Sequence, residues 1–256
     1  MEREEGLRSF VQDLRIAVTL CTRLPVGSLV SVAGGEVARA SWAFPVAGLL
    51  VGLLGAVTYW LASRLHIPPQ AASVLALAAT ISFTGAMHED GLADTADGFG
   101  GGKTRERKLE IMRDSRIGTF GACALGVSLL LRWSAIASFD DWHSVAIALV
   151  VAHGGGRAGL PAFMRFLPLA RPDGLSSGAG QPPIQSVVIA LGLGIVVLLI
   201  GFGTGAMLIG CLAVAAIGLL LARLSLSQIG GQTGDVIGAF EQMAEAALLL
   251  TGAALL

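Results

Sequence analysis

Asp90, Asp94 and Asp97 stand at i, i+4 and i+7, a spacing that on a helix lines three carboxylates along one stripe. Like charges so placed repel unless a cation sits among them. Glu106, Glu110 and Asp114 repeat the arrangement at i, i+4 and i+8 on what reads as a second helix, and Gly98 to Gly102 reads as the turn between the two. Two facing acid-lined helices would build an all-oxygen cage, the donor set of Mg²⁺ or Mn²⁺ rather than zinc. The chemistry to expect of such a cage is metal-assisted. A solvated loop is the plainer account, and it explains why His88 to Gly118 also holds six of the 17 Lys and Arg beside seven of the 18 acids. It does not explain acids kept on one stripe, nor Asp90 directly after an apolar run, where ionisable groups tend to be functional. GGGKT is no P-loop, because Asp97 stands where Walker A needs its first Gly. His88, His143 and His153 lack metal-ligand spacing, and Cys21, Cys123 and Cys211 are isolated.

The elements that must position these acids are apolar. Charged residues make up 14% and hydrophobic ones 54% of 256 residues, against roughly 25% charge in an average soluble domain. Mean hydropathy is +0.74. So few charges cannot coat a soluble globule, and the same figures exclude disorder. The 35 glycines lack the collagen period and suit close helix packing in lipid. Runs long enough to cross a bilayer fall at 42–62, 71–87, 118–139, 143–163, 184–202, 206–222 and 237–256. They are too long for strands and do not alternate. The expected fold is therefore all-α, a polytopic membrane helix bundle with about seven transmembrane helices. Residues 7–24 mix apolar residues with Arg8, Asp13, Arg15 and Arg23, which predicts an N-terminal interfacial helix ended by Pro25. The acidic Met1 to Phe10 lacks the order of a signal peptide. With neither repeat nor linker, residues 1–256 read as one domain.

Arginine and lysine set the sidedness. With the N-terminus inside, the cytoplasmic side holds Arg3, Arg8, Arg15, Arg23, Arg39, all six basic residues of the acidic segment, Arg165, Arg171 and Arg223, against Arg64 outside. Arg132 lies within a span and is expected to snorkel outward. Segments 88–117, 164–183 and 223–241 and the N-terminal helix then share one face. Arg157 stands alone in an apolar run, one turn from His153 and beside Gly154–Gly156, and is either a ligand group or the partner of an intramembrane acid. Asp235, Glu241 and Glu245 open the last span, with Gly230, Gly234 and Gly238 spaced for helix packing, as are Gly48 and Gly52, and Gly201 and Gly205.

Two rivals frame the function. A transporter also uses intramembrane Asp and Arg, but usually near the midplane and in two related halves. Asp94-x-x-Asp97-Gly98, followed by Gly102, Glu106, Glu110 and Asp114, partly echoes the CDP-alcohol phosphotransferases, although the Ala-Arg after the Gly is missing. The 34-residue run HEDGLADTADGFGGGKTRERKLEIMRDSRIGTFG is more specific. It resembles the signature of the cobalamin (5′-phosphate) synthase family, the adenosylcobinamide-GDP ribazoletransferases. Thr22-Arg23-Leu24-Pro25, Phe44-Pro45-x-x-Gly48, Ala170 to Leu175 and Gly234-Asp235-x-x-Gly238-x-x-Glu241 are similar to further elements of that family.

The resemblance implies a membrane transferase that joins adenosylcobinamide-GDP to α-ribazole or its 5′-phosphate and releases GMP, with Mg²⁺ required. Its partners would be those two small molecules and the bilayer, with no nucleic acid and with self-association open through Gly-rich helix faces. Its address would be the bacterial cytoplasmic (inner) membrane, multi-pass, with the active site facing the cytoplasm. Carried onto this chain, it makes Asp90, Asp94, Asp97, Asp114 and Glu89 candidate ligands of one or two Mg²⁺, for which Mn²⁺ could substitute. Asp114 or Glu110 becomes the candidate proton acceptor. Arg113, Arg116, Arg157, Arg23, Arg171, Asp235 and Glu241 become candidates for phosphate and substrate binding. No Ser, Cys or His stands out as a nucleophile, which points to direct displacement.

Overall fold

The computed structural model describes residues 2–26 and 34–255; Met1 and Leu256, the ends of the predicted domain, lie outside the described residues. Every named element is helical: α1 (Glu2–Cys21), α2 (Gly34–Ala40), a 3₁₀ turn (Ser41–Ala43), α3 (Phe44–Arg64), α4 (Pro69–Thr84), α5 (Met87–Gly101), α6 (Arg105–Ile111), α7 (Thr119–Ala137), α8 (Trp142–Ala158), α9 (Leu160–Phe166), α10 (Leu175–Ala179), α11 (Ile184–Ile229) and α12 (Gly234–Leu255). The all-α membrane bundle expected from composition is the fold observed.

Five helices are long and apolar enough to cross a membrane, and a sixth crossing is added if α4 and α5 form one bent span. The sequence count divides α11 in two, and the structure shows why that division is reasonable. Gly203 breaks the helix at φ 72°, ψ 176°, a conformation that glycine adopts without strain. Leu198 and Gly210 would be about 18 Å apart in a straight helix. Instead, a Cβ at Gly210 would lie 3.1 Å from the Leu198 side chain, so the chain doubles back.

Glycines set the two crossings that matter for the site. A Cβ at Gly52 would lie 2.6 Å from the Leu149 carbonyl oxygen, and Gly48 likewise abuts the His153 carbonyl, so α3 lies directly on α8. Gly91 of α5 approaches Asp235 and Gly238 of α12, where a Cβ would lie 2.8 Å from the Asp235 oxygen. These small faces are used inside the chain.

Between α4 and α5, Gly85 and Ala86 are both left-handed, at φ 70° and 58°, and the helices meet at 88°. We read α4 as the membrane element and the acid-bearing α5 as lying outside the spans. The predicted turn at Gly98–Gly102 falls later, at Gly102–Thr104, because α5 runs on to Gly101 and α6 starts at Arg105. Its glycines are packing sites: Gly98 meets Met112, and a Cβ at Gly100 would lie 2.6 Å from Phe120. The second acidic helix also differs. α6 ends at Ile111, before Asp114, and it buries Leu109, which turns Glu106 and Glu110 to solvent. The two-helix acid cage is not formed.

The polar segments gather at one end, as the charge asymmetry requires. Arg105 donates to the carbonyls of Ile229 at 2.8 Å and Ala170 at 2.5 Å, and Leu169 and Gln232 form a bridge. The interfacial helix packs there through buried Asp13, which pairs with Arg39 at 2.9 Å and accepts the Trp42 indole N–H at 3.0 Å.

Gly52→Ala overpacks the α3–α8 contact and should cost about 1–3 kcal/mol. Gly126→Ala, with nothing within 4 Å, should be neutral or stabilise by up to about 1 kcal/mol. Thermal unfolding in detergent checks both, and equal shifts would contradict the close crossing.

Candidate active site

The close approach of α5 and α12 brings three carboxylates together from two distant parts of the chain. Asp90 and Asp94 stand one turn apart on α5, and Asp235 stands in the first turn of α12. Burial pushes the Asp94 carboxyl up to about 7, helped by the negative charges of Asp90, Asp235 and Asp97 and opposed by Arg171. Among the described residues, the Asp90 and Asp94 carboxylates have no hydrogen bond or ion pair. Asp235 accepts from the Thr233 hydroxyl at 3.1 Å and from Arg171 Nη2 at 3.3 Å. Arg171 Nη1 is buried and unpartnered. Arg171 also reaches Asp173 at 3.6 Å, which Arg113 holds at 2.6 Å, so a chain of charges rims the cluster.

The other predicted acids are placed differently. Asp97 accepts the backbone N–H groups of Gly118 at 2.7 Å and Gly121 at 2.8 Å, satisfying orphan donors at the start of α7. Asp114 is clasped by Arg116 Nε at 3.0 Å and Nη2 at 2.7 Å, and these hydrogen bonds lower its pKa to about 2. Glu110 pairs with Arg107 at 2.7 Å on the exposed side of α6. Arg23 is exposed and lies against Gly85. Asp114, Glu110 and Arg116 form outlying pairs, whereas Asp90, Asp94, Asp235 and Arg171 form the cluster.

Deeper in the bundle lies a second group that the sequence disclosed only in fragments. Arg132 pairs with Glu89 and Glu245, each at 3.1 Å. Arg157 pairs with Glu241 at 2.5 Å, and its Nη2 lies 3.3 Å from His88 Nδ1. His153 lies 2.8 Å from Glu245. The expectation that Arg132 snorkels outward is corrected: it is 1% exposed, because two carboxylates meet it inside. Arg157 and Glu241 are each other's partners, the structural alternative for Arg157. His153, Glu241 and Glu245 lie within 4.8 Å of one another, close enough to share a metal ion. The guanidiniums of Arg132 and Arg157 already compensate those carboxylates. The signal for this network was a lone charge in each of two apolar runs, which must find a counter-charge.

Between cluster and network sits a cavity of about 220 Å³, reached by Asp90, Asp235 and His88.

The family model CobS, cobalamin-5-phosphate synthase, matches residues 13–253. An adenosylcobinamide-GDP ribazoletransferase of Bradyrhizobium diazoefficiens is 58% identical over 250 residues, covering 98% of this chain and 96% of that protein. Proteins of the same name from Mesorhizobium japonicum and Brucella canis are 48% and 44% identical, over 95% and 83% of this chain and 93% and 84% of theirs. No solved structure matches.

Arg132→Met would leave Glu89 and Glu245 buried without their guanidinium, and should cost about 3–5 kcal/mol. Thermal unfolding in detergent reads the loss, and adding Glu245→Gln should recover part of it. An unmoved midpoint would mean the pairs do not form in the folded protein.

Proposed function

The chain belongs to the cobalamin-5-phosphate synthase family, and from that membership we propose how its α5–α12 acid cluster carries out the family's reaction. The protein is an adenosylcobinamide-GDP ribazoletransferase, a membrane enzyme of cobalamin synthesis. A hydroxyl of α-ribazole, or of its 5′-phosphate, attacks the cobinamide-linked phosphorus of adenosylcobinamide-GDP. The new O–P bond forms as the P–O bond to GMP breaks, without a covalent enzyme intermediate. The observation that carries this reading is the convergence of Asp90, Asp94 and Asp235 beside the cation Arg171.

The donor set fits Mg²⁺. It is all oxygen, two of its carboxylates have no partner among the described residues, and burial, helped by the neighbouring acids, raises Asp94. Asp94 and Asp235, with Asp90 at the rim, would hold the ion, which when bound supplies charge neutralisation at the diphosphate. Arg171 keeps one guanidinium nitrogen free for a phosphate oxygen. Asp90 is the carboxylate placed to take the hydroxyl proton, since it lines the cavity and has no competing partner among the described residues. Asp114, lowered to about 2 by Arg116, is a weaker base. Asp97 serves the reading indirectly, by tying α5 to α7. The excess of Arg and Lys at this end supports a site facing the cytoplasm in the inner membrane.

Purified protein in detergent with adenosylcobinamide-GDP, α-ribazole phosphate and Mg²⁺ should release GMP and form corrinoid product. Asp94→Asn should lower turnover by at least about 10²-fold while the protein stays folded. Full turnover in Asp94→Asn would remove the cluster from the reaction.

The raised Asp94 carboxyl has a pH consequence. Below about pH 7 the ion must displace a proton, so the Mg²⁺ concentration for half-maximal rate should rise, by up to about tenfold per pH unit. Above that pH it should level off. A flat dependence in the wild type would contradict the crowding of these carboxylates.

A further inference from the structure

The 220 Å³ cavity beside the cluster has a lining that selects among the parts of the two substrates. It is smaller than the roughly 300–1,000 Å³ of a pocket that takes a whole drug-sized ligand, so it holds one fragment. Its wall is carbon from Phe44, Met87, Leu160, Met164 and Ala179. The polar groups it reaches are few and largely engaged. Ser176 donates to Gln232 at 2.5 Å, and His88 Nδ1 lies 3.4 Å from Glu241. Cys21 also lines it, but burial pushes that thiol up to about 11, which makes it an apolar wall and not a nucleophile. What remains is a pair of carboxylates, Asp90 and Asp235.

A corrin ring is far too large for this space. A diphosphate belongs at the mouth, where a cation on the carboxylates would meet it, because inside the cavity its remaining oxygens would face carbon. A guanine could pair its ring N–H and exocyclic amine with a carboxylate, but its carbonyl and ring-nitrogen acceptors would then face the carbon wall, at a cost of about 1–3 kcal/mol per orphaned group. The fourth fragment is the base of ribazole, an alkylated benzimidazole with no hydrogen-bond donor and one free ring nitrogen. Its attached ribose carries hydroxyl donors, which complement the carboxylates.

We propose that this cavity is the subsite for the benzimidazole base of the acceptor riboside, seating the flat ring between α3, α9 and α10 so that the ribose hydroxyls meet Asp90 and Asp235. This rests on the transferase reading above. The subsite sets specificity by shape, so the ring's methyl groups are read by apolar contact. In such a pocket one methyl group is worth about tenfold or more in discrimination.

The test uses full-length protein in detergent with adenosylcobinamide-GDP, Mg²⁺ and two acceptors, the ribosides of 5,6-dimethylbenzimidazole and of unsubstituted benzimidazole. Ala179→Phe, which narrows the cavity, should raise KM for the dimethylated riboside about tenfold or more relative to the unsubstituted one, with KM for adenosylcobinamide-GDP unchanged. Met164→Ala, which widens it, should erode wild-type discrimination between the two and decides the matter if Ala179→Phe does not fold. A shift in corrinoid KM instead, or equal effects on both ribosides, would overturn the subsite while leaving the reaction intact. A wild-type protein that turns over neither riboside, and neither riboside's 5′-phosphate, would overturn the transferase reading itself.

Discussion

A guanidinium inside an apolar bundle is tolerable only where carboxylates reach it, and this molecule is organised around two such cases. Arg132 from α7 and Arg157 from α8 draw in Glu89 from α5 and Glu241 and Glu245 from α12, with His88 and His153 between them. Four helices are committed to one register by charges that have nowhere else to go. Desolvation offsets much of the Coulomb attraction, so the network adds little net stability. The larger effect is the penalty on any arrangement that separates the partners. The helix start that carries Asp235 is thereby held against the helix that carries Asp90 and Asp94.

Glycine does the complementary work. Charge pairs select which helices meet, and bare backbone permits how closely. Gly91 and Gly238 let α5 and α12 approach until Asp235 of one helix acts on Asp94 of the other, adding to the burial that raises the Asp94 carboxyl. A side chain at either position would hold the carboxylates apart.

Much of this was legible in residue order. Apolar runs disclosed the bundle, arginine placement gathered the polar segments at one end, and the i, i+4 spacing put Asp90 and Asp94 on one face of a real helix. What residue order could not disclose was the choice of partner. Asp97 shares the acidic stripe, yet the first turn of α7 captures it. Glu106 and Glu110 have the right periodicity, but Leu109 competes for the buried side of α6 and wins, because burying one leucine outweighs what an exposed carboxylate gains. Asp235 joined the site through a glycine crossing between helices that begin nearly 150 residues apart, a distance over which spacing carries no information.

α5 is pinned at both ends, by the Glu89–Arg132 pair near its start and by the Asp97 cap of α7 near its finish. The rim above it is held by Arg113–Asp173, a pair with both side chains more than half exposed, of a kind worth only about 0–1 kcal/mol. The floor of the site is therefore stiff and its edge is loose. A large molecule arriving at this end would meet a weak, solvent-screened pair before it met carboxylates held on two mutually anchored helices.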